Sequence, residues 1–429
     1  MSMTPGQLVP LLVEKPAAGG RMIARVDGQI VLVSGAIPGE RLTARVERIG
    51  KGVVYAQALS IEEPSADRRE PFADPLCGGC LYAHIAYPRQ LEIKAQVIAD
   101  AFARIGRVVL SAPVLVAGSR ADGYRMRARL HVRARRVGFF REGTHEVCDA
   151  RATRQLLPAT VDTLDRVAAA LQSLEVDQVR ELEVSENIDA SERVVHLDAA
   201  APVDPIRLAS VGQIGGLSGL TINRVSNDMQ DFSPADAITG DPHVTDAIEV
   251  AGTRVRLRRH VLTFFQGNRY LIKDLVMHVA GLVEEGSIVV DLYAGAGLFA
   301  VSAAVARGAR VTAVEGDRLG ALDLEANAGS ANRGVVAVHQ PVESFTRTAQ
   351  LRPDTIILDP PRTGVSREAL DGIVGLRART IVYVSCDVAT LARDSRRFID
   401  AGYVIRRVDG FDLFPNTPHV ETVVEMKRV

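Results

Sequence analysis

The sequence predicts an α/β protein with a small β-barrel near its N-terminus and a parallel sheet in its C-terminal part. From about residue 260 onward, short apolar runs rich in Val and Ile alternate with helical segments, a pattern typical of parallel strands buried on both faces. Residues 8–62 hold short alternating apolar runs separated by Gly and Pro turns, which indicates a small barrel. A mixed α+β region lies between them, so the 429 residues divide into several domains.

The composition is that of a globular protein of the cytoplasm. Hydrophobic residues make up 47% of the chain and charged residues 24%. The N-terminus has no basic start followed by an apolar run, so we expect no signal peptide, and no segment is long enough to span a bilayer. In a reducing compartment, four cysteines at uneven spacing favour a metal site or catalysis over disulfides.

We expect four regions along the chain. The second region contains a helix, because Ile93, Val97, Ile98, Ala101, Phe102 and Ile105 recur at helical spacing and Gly106 follows as a stop. Another helix is predicted near residues 158–175. The regions are the barrel (1–62), a cysteine-containing loop with its linking helix (63–110), the mixed α+β region (111–235) and the α/β domain (236–429).

An arginine-rich stretch marks the mixed region. Residues 1–150 hold 21 Lys and Arg against 15 Asp and Glu, a net charge of +6, and the remainder of the chain is therefore at −7. Within "YRMRARLHVRARR", alternate side chains of a strand face the same way. Like charges side by side repel, so phosphates that neutralise them favour a nucleic-acid surface over a solvated sheet face. The residues on this face are Arg125, Arg127, Arg129, His131, Arg133 and Arg135.

The α/β domain opens with a glycine-rich turn, "IVVDLYAGAGLFA". A strand ends at Asp291, Gly295 and Gly297 lead into a helix, and the next strand ends at Glu315, which is placed to accept both ribose hydroxyls of a nucleotide. "GAGLFA" also matches the NAD fingerprint, a weak signal alone. Asp291 would repel a pyrophosphate but suits the positively charged amino-acid part of S-adenosylmethionine, which favours that cofactor.

A second turn, "DPPRTG", follows another strand and brings Asp359 and Arg362 to the same sheet edge. A rigid turn with a carboxylate and an arginine at a carboxyl strand end fits methyl transfer to a planar nitrogenous base. This pattern strengthens the prediction of S-adenosylmethionine over NAD.

The cysteine in "IVYVSCDVATL" lies at the end of the following strand. A free cysteine often packs as a small hydrophobe. Ligands, however, bind at the carboxyl ends of strands in such sheets, which places Cys386 at the mouth of the site. A thiolate that adds to carbon 6 of a pyrimidine makes carbon 5 nucleophilic enough to take a methyl group, and a base then removes the carbon-5 proton.

Taken together, "DPPRTG", "IVYVSCDVAT" and "HVETVV" resemble the RNA uracil-5-methyltransferase family, which makes 5-methyluridine in tRNA or large ribosomal RNA. "GRMIARVDGQIVLVSGAIPGERLTARV" is similar to the TRAM domain, an OB-like RNA-binding barrel, and "YRMRARLHVR" to the family's central RNA-contacting domain. The resemblance implies a Rossmann-like class I methyltransferase domain with a mainly parallel seven-stranded sheet. It also implies a monomer in the cytoplasm, with RNA as its partner.

The resemblance further implies roles for single residues. Cys386 is the nucleophile and Glu421 the base, while Gln266 of "FFQGN", Tyr293, Glu315 and Asp359 line the cofactor. From the residues alone, Gln266 and Glu421 are an ordinary loop residue and an ordinary strand residue. Arg362 is expected to hold the target base or a phosphate, or to pair with an acid. A target uridine has to leave its stack to reach Cys386.

The chain departs from the family pattern at two places. Asp387 and Val388 stand where "SCNPAT" has Asn and Pro, and an anion beside the thiol is expected to raise the thiol pKa. Many members hold a 4Fe–4S cluster with four cysteines; here Cys77, Cys80 and Cys148 match, but Pro71 occupies the first position. Three cysteines with a foreign fourth ligand such as Asp74, another metal, or no metal all remain open.

Two other functions fit the same residues. The barrel and arginine stripe suit an RNA-binding protein whose catalytic domain has decayed, with Asp387 as a symptom. "DPPR" is also similar to the D/N-P-P-Y turns of enzymes that methylate base amino groups, a chemistry that needs no thiol. The sequence leaves the RNA open between tRNA and 23S rRNA.

Overall fold

The computed structural model describes residues 3–133, 136–223, 236–329 and 334–429. Arg135, which the sequence analysis places on the arginine stripe, lies outside these residues. Among the helices of the described residues, none is both long and apolar enough to cross a lipid bilayer.

The N-terminal strands close into a barrel with the order β1-β2-β3-β5-β4, as predicted. Alternate residues point inward, because successive side chains of a strand face opposite sides; in β1, every second residue from Val9 to Val13 is buried. All neighbours pair antiparallel except β3 and β5. The strands are β1 (Leu8–Pro16), β2 (Met22–Val26), β3 (Gln29–Ser34), β4 (Arg41–Gly50) and β5 (Val53–Glu63).

The predicted linking helix is α1 (Tyr87–Arg104), which starts with Pro88 in its first turn. Its apolar face is shared between two cores: Ile93 packs in the barrel core, whereas Val97, Ile98 and Phe102 pack in a core of the α/β domain. The helix therefore joins the barrel to the α/β domain through buried contacts.

The central region forms a seven-stranded sheet in the order β13-β12-β11-β10-β7-β8-β9. Its strands are β7 (Arg127–Arg133), β8 (Arg136–Phe140), β9 (Val147–Asp149), β10 (Val179–Glu186), β11 (Arg193–Ala199), β12 (Gly219–Ile222) and β13 (Asp236–Gly240). The helices are α2 (Pro158–Ser173), close to the predicted bounds, and α3 (Pro205–Gly212). A separate hairpin of β14 (His243–Val250) and β15 (Thr253–His260) follows.

The α/β domain is built on a sheet with the order β18-β17-β16-β19-β20-β22-β21-β6, eight strands where seven are expected. The strands from β18 to β20 run parallel, and β22 lies antiparallel between β20 and β21. They are β6 (Leu115–Ala117), β16 (Ile288–Leu292), β17 (Arg310–Glu315), β18 (Val335–His339), β19 (Thr355–Leu358), β20 (Thr380–Ser385), β21 (Tyr403–Phe411) and β22 (Glu421–Arg428).

Helices connect the parallel strands and cover the sheet on both faces, so that the strands are buried as the Val- and Ile-rich runs predict. They are α4 (Ile272–Gly281), α5 (Leu298–Arg307), α6 (Arg318–Ala328), α7 (Val342–Thr348), α8 (Arg367–Gly375) and α9 (Val388–Asp400).

Two strands pair across the expected region boundaries. β6 belongs in sequence to the mixed region but extends the sheet of the α/β domain beside β21. β13 belongs in sequence to the α/β domain but pairs with β12 of the central sheet. Strand pairing depends on partners far away in the chain, which local patterns do not identify.

Candidate active site

The carboxyl ends of β16, β19 and β20 meet at one edge of the sheet, where α/β folds bind ligands. Asp291 belongs to β16, Asp359 follows β19 and Cys386 follows β20. Because Ser385 of β20 pairs with Thr422 of β22 in antiparallel register, Cys386 and Glu421 flank that pair at the same edge. The fold thus brings together the two residues predicted to be catalytic.

The glycine turn after β16 forms the floor of the predicted cofactor site. Tyr293, Gly295 and Gly297 all have positive φ angles, of 63°, 53° and 91°. Gly297, which precedes α5, has a left-handed φ that favours glycine, and an added Cβ would also lie 2.9 Å from Leu324 Cδ1. The Glu315 carboxylate accepts hydrogen bonds from the backbone N–H of Gly295 and of Asp317, both at 2.7 Å. Glu315 is thereby held against the turn.

Asp291 is fully buried, and neither of its carboxylate oxygens has a hydrogen-bond partner among the described residues. Burial, Asp359 and Glu315 raise the pKa of Asp291 well above its usual range, and the nearby backbone N–H of Ala300, which does not meet hydrogen-bond geometry, only partly opposes this rise. A buried carboxylate with so little donor support is costly unless a cation or donor group meets it. The positively charged amino group of S-adenosylmethionine supplies both, so Asp291, the glycine turn and Glu315 fit this cofactor.

Gln266 and Asp359 are in direct contact although 93 residues separate them. Gln266 Nε2 donates to Asp359 Oδ2 at 3.0 Å, and the Gln266 side chain is 3% exposed. Burial raises the pKa of Asp359 to about 7, although the Gln266 hydrogen bond opposes this rise. At neutral pH a large fraction of Asp359 is therefore protonated and able to donate a hydrogen bond. Reasoning from residue types alone missed Gln266; only the "FFQGN" resemblance identified it.

Cys386 is half-buried and faces Glu421 and Arg362. Burial, and then the Glu421 carboxylate, raise the pKa of the Cys386 thiol to about 11, while the Arg362 guanidinium counteracts this. Burial and Asp359 raise the pKa of Glu421 well above its usual range, and Arg362 again opposes the rise. Arg362 is therefore the cation that favours the reactive, ionised forms of both groups.

Asp387 has a structural partner of its own, the first turn of α9. Its side chain caps α9, accepting from the backbone N–H of Ala389 at 3.1 Å and of Thr390 at 2.8 Å. The helix N-terminus stabilises this negative charge. The thiol pKa is raised, as expected, but burial and Glu421 are its principal causes, and a contribution from Asp387 stays a prediction.

Arginines of the stripe form ion pairs with acidic residues of neighbouring strands, which the local sequence pattern does not reveal. Arg127 pairs with Glu183, and Arg129 pairs with Glu181 at 2.7 Å and with Asp198 at 2.9 Å. The acids lie on the neighbouring strands β10 and β11, so the stripe does not need phosphates for its neutralisation.

Two further arginines of the stripe differ in their surroundings. Arg125 is half-buried and donates to Gln155 Oε1 at 2.6 Å, whereas Arg133 is exposed and donates to the backbone of Val132 at 2.9 Å. RNA contact by Arg125, Arg127, Arg129 and Arg133 stays a prediction, and it suits the exposed Arg129 and Arg133 best.

The three cysteines predicted as metal ligands do not fit a 4Fe–4S cluster. Cys77 and Cys148 are joined by a disulfide, and disulfide sulfurs are not the thiolates that hold such clusters. Cys80 is buried, and burial raises the pKa of its thiol to about 12. Asp74, the expected foreign ligand, is paired with Arg141 at 2.5 Å. Within the described residues, no group of three or more His, Cys, Asp or Glu side chains is arranged to hold a metal ion.

Thiol titration checks this arrangement. We expect two reactive thiols per denatured chain without reductant, Cys80 and Cys386, because the other two cysteines form the disulfide. Replacing Cys148 with serine should free Cys77 and add one thiol. Four thiols in protein purified without oxygen, together with bound iron and visible absorption, would contradict the disulfide and restore the cluster.

Comparison with known proteins identifies the family of this chain. Residues 340–429 match the sequence model of the family described as tRNA (Uracil-5-)-methyltransferase, and residues 3–59 match the TRAM domain. A 23S rRNA (uracil(1939)-C(5))-methyltransferase RlmD of Halomonas elongata is 33% identical over 97% of this chain and 89% of its own. The RlmD of Acidithiobacillus ferrooxidans is 30% identical over 97% of each chain.

A solved structure shares the fold. The Pyrococcus abyssi tRNA (uracil-54, C5)-methyltransferase, in complex with S-adenosyl-L-homocysteine, superposes with a TM-score of 0.77. The two chains are 24% identical, and the match covers 97% of this chain and 99% of that one. The predicted fold class, a Rossmann-like methyltransferase domain behind a TRAM barrel, is confirmed.

Proposed function

Because the chain belongs to the family of S-adenosylmethionine-dependent RNA uracil-5-methyltransferases, we propose that it methylates carbon 5 of a uridine in tRNA or 23S rRNA through a covalent bond between Cys386 and the uracil ring. The observation that supports the covalent step is the meeting of Cys386, Glu421 and Arg362 at the sheet edge that also carries the glycine turn. A nucleophile, a base and a cation that favours their ionised forms are the groups this chemistry needs.

The proposed reaction has three steps. Asp291, Gly295, Glu315 and Tyr293 would hold S-adenosylmethionine, which would supply the methyl group and be released as S-adenosylhomocysteine. The Cys386 thiolate first bonds to carbon 6, and the π electrons of the carbon 5–carbon 6 double bond move toward the neighbouring carbonyl to give an enolate. Carbon 5 of this enolate then bonds to the methyl carbon as the bond between that carbon and the sulfonium sulfur breaks. Glu421 takes the carbon-5 proton, and the carbon 6–sulfur bond breaks to restore both the ring double bond and the thiolate.

Asp359 and Gln266 are proposed to serve the target base as well as the cofactor. In its protonated form, Asp359 donates a hydrogen bond to the uracil oxygen on which negative charge develops after thiolate addition. Its contact with Gln266 fixes the direction of that donor. Such preorganised donors in a buried site lower the barrier for charge development.

The rest of the chain is proposed to hold the RNA. The barrel, the central sheet with Arg129 and Arg133, and the exposed Arg362 provide basic groups for the phosphate backbone. The target uridine is turned out of its stack toward Cys386, as enzymes acting on a base require. We propose that the four regions 1–62, 63–110, 111–235 and 236–429 are functional units. The strands β6 and β13 pair across the boundaries between them.

Trapping the covalent complex tests the proposal. RNA with 5-fluorouridine at the target should form a stable adduct with the protein and S-adenosylmethionine, because fluorine cannot leave as a proton. Mass spectrometry of the digested adduct should locate the bond at Cys386. Without an adduct on the correct RNA, Cys386 is not the nucleophile. Nucleoside mass spectrometry of tRNA and rRNA from a strain lacking the protein identifies the target RNA, because 5-methyluridine should be lost from it.

The rate of adduct formation is expected to rise with pH. Because the pKa of Cys386 is about 11, the thiolate fraction grows by about tenfold for each pH unit between neutrality and that pKa. Replacing Arg362 with glutamine removes the cation that lowers this pKa, so the variant should react more slowly at each pH. Single-turnover rates measured from pH 7 to 9 check this. A flat profile would show that the free thiol already reacts as thiolate.

A further inference from the structure

The polar face of α1 is buried where helices normally expose such groups. Gln90 and Lys94 lie one helical turn apart on this face and are 0% and 1% exposed. Buried amides and ammonium groups require partners. Both side chains have partners on the segment that connects β21 to β22, and Gln90 also donates to the backbone oxygens of Tyr82 and Ile85. We name this segment, residues 412–420, the base loop because Glu421, the proposed catalytic base, follows it directly.

Lys94 anchors the beginning of the base loop. Its Nζ lies 2.5 Å from Asp412 Oδ1 and donates to the backbone oxygen of Phe414 at 3.2 Å. Both partners of the ion pair are essentially inaccessible to solvent. The pair is therefore weakly screened, and its geometry fixes the start of the loop relative to α1.

Gln90 anchors the middle of the base loop through Asn416. Gln90 Nε2 donates to Asn416 Oδ1 at 3.0 Å, and Gln90 Oε1 accepts from the Asn416 backbone N–H at 2.9 Å. Asn416 has a φ of 63° and is 2% exposed. It also accepts from Arg69 at 3.0 Å and from the Tyr82 N–H at 2.8 Å. This left-handed residue is thus held by four hydrogen bonds from two other segments.

The base loop leads directly to Glu421, which lies near Cys386. Phe411, directly before the loop, pairs with Glu421, directly after it. The loop therefore closes the hairpin of β21 and β22, and the proposed catalytic base is the first residue of β22. Long hairpin loops are usually exposed and mobile, but Asp412, Leu413 and Thr417 are at most 2% exposed. His419 packs edge-on against Phe414 and lies near Arg362.

We propose that Gln90 and Lys94 are positioning residues that hold the base loop so that Glu421 reaches carbon 5 of the Cys386-bound uracil, an inference that rests on the proposed function. α1 also packs Ile93 into the barrel core, and Lys15 of the barrel pairs with Asp100 of the helix at 2.5 Å. The helix that packs against the barrel therefore also positions the proposed catalytic base, Glu421. A displaced loop would slow the proton removal that resolves the adduct more than the thiolate addition that forms it.

The test compares adduct formation with adduct resolution on ordinary, unfluorinated RNA. In Gln90→Met and in Lys94→Met, resolution should slow by more than about tenfold while formation changes by less than about threefold, so the covalent complex accumulates during turnover. A purely structural role would lower both rates together with the folded fraction, without accumulation. Arg104→Met, on the exposed end of the same helix, is the matched control and should behave as wild type.

Asn416→Gly keeps the test decisive if the buried substitutions prevent folding. Glycine tolerates the left-handed φ and retains the backbone hydrogen bonds, so only the side-chain amide is lost. It should accumulate adduct in the same way. Equal slowing of formation and resolution in all folded variants would overturn this inference alone. A wild-type protein that forms no adduct with 5-fluorouridine RNA would instead overturn the proposed function.

Discussion

Replacing Cys386 with alanine is expected to lower methyl transfer to RNA by about 10⁴-fold or more while S-adenosylmethionine binds with near-normal affinity. Among the described residues, Cys386 carries the only free thiol at this edge of the sheet, and the proposed bond to carbon 6 needs a thiolate. The cofactor groups Asp291, Glu315 and the glycine turn lie on β16 and β17 and do not depend on the sulfur. Tritiated methyl incorporation and cofactor titration measure the two effects separately.

Asp387→Asn is the matched control for this substitution. Asparagine caps a helix as well as aspartate does, so α9 stays intact while the charge beside the thiol disappears. We expect its rate to stay within about threefold of wild type, because burial and Glu421, not Asp387, dominate the thiol pKa.

An active Cys386→Ala variant would point to methylation of a base amino group. A chain that binds RNA but no S-adenosylmethionine would be an RNA-binding protein with a decayed catalytic domain.

Glu421→Gln is expected to stop the reaction after the methyl group has been transferred. Proton removal by a positioned base contributes about 10²- to 10⁴-fold, so turnover should fall by that amount. The isosteric amide also removes the negative charge that raises the Cys386 pKa, so adduct formation should not slow. The variant should therefore transfer one methyl group per enzyme and remain covalently attached to ordinary RNA, which denaturing electrophoresis detects.

Glu425→Gln, on the same strand β22, serves as the control because Glu425 pairs with Lys427 away from the site. It should turn over normally. If Glu421→Gln formed no adduct at all, Glu421 would act before methyl transfer, for example by orienting the target uracil. If it turned over at the wild-type rate, another group would have to remove the proton.

The sequence by itself determined the elements and the residues that end them. The alternation in residues 8–62, the helical spacing from Ile93 to Phe102 and the Val- and Ile-rich runs after residue 260 all correspond to observed elements. These patterns are local, because the side-chain periods of strands and helices depend only on neighbouring residues. Asp291, Glu315, Asp359 and Cys386 were also identifiable, because the carboxyl ends of parallel strands always meet at one edge.

Only the tertiary structure decided which of these residues have partners. The contact of Gln266 with Asp359, the arrangement of Cys386 and Glu421 about the β20–β22 pair and the disulfide between Cys77 and Cys148 each join positions far apart in the chain. The arginine stripe shows the same limit, since the acids that pair with it belong to β10 and β11. Charge balance, burial and pKa depend on what the fold brings within a few ångströms, and no local period carries that information.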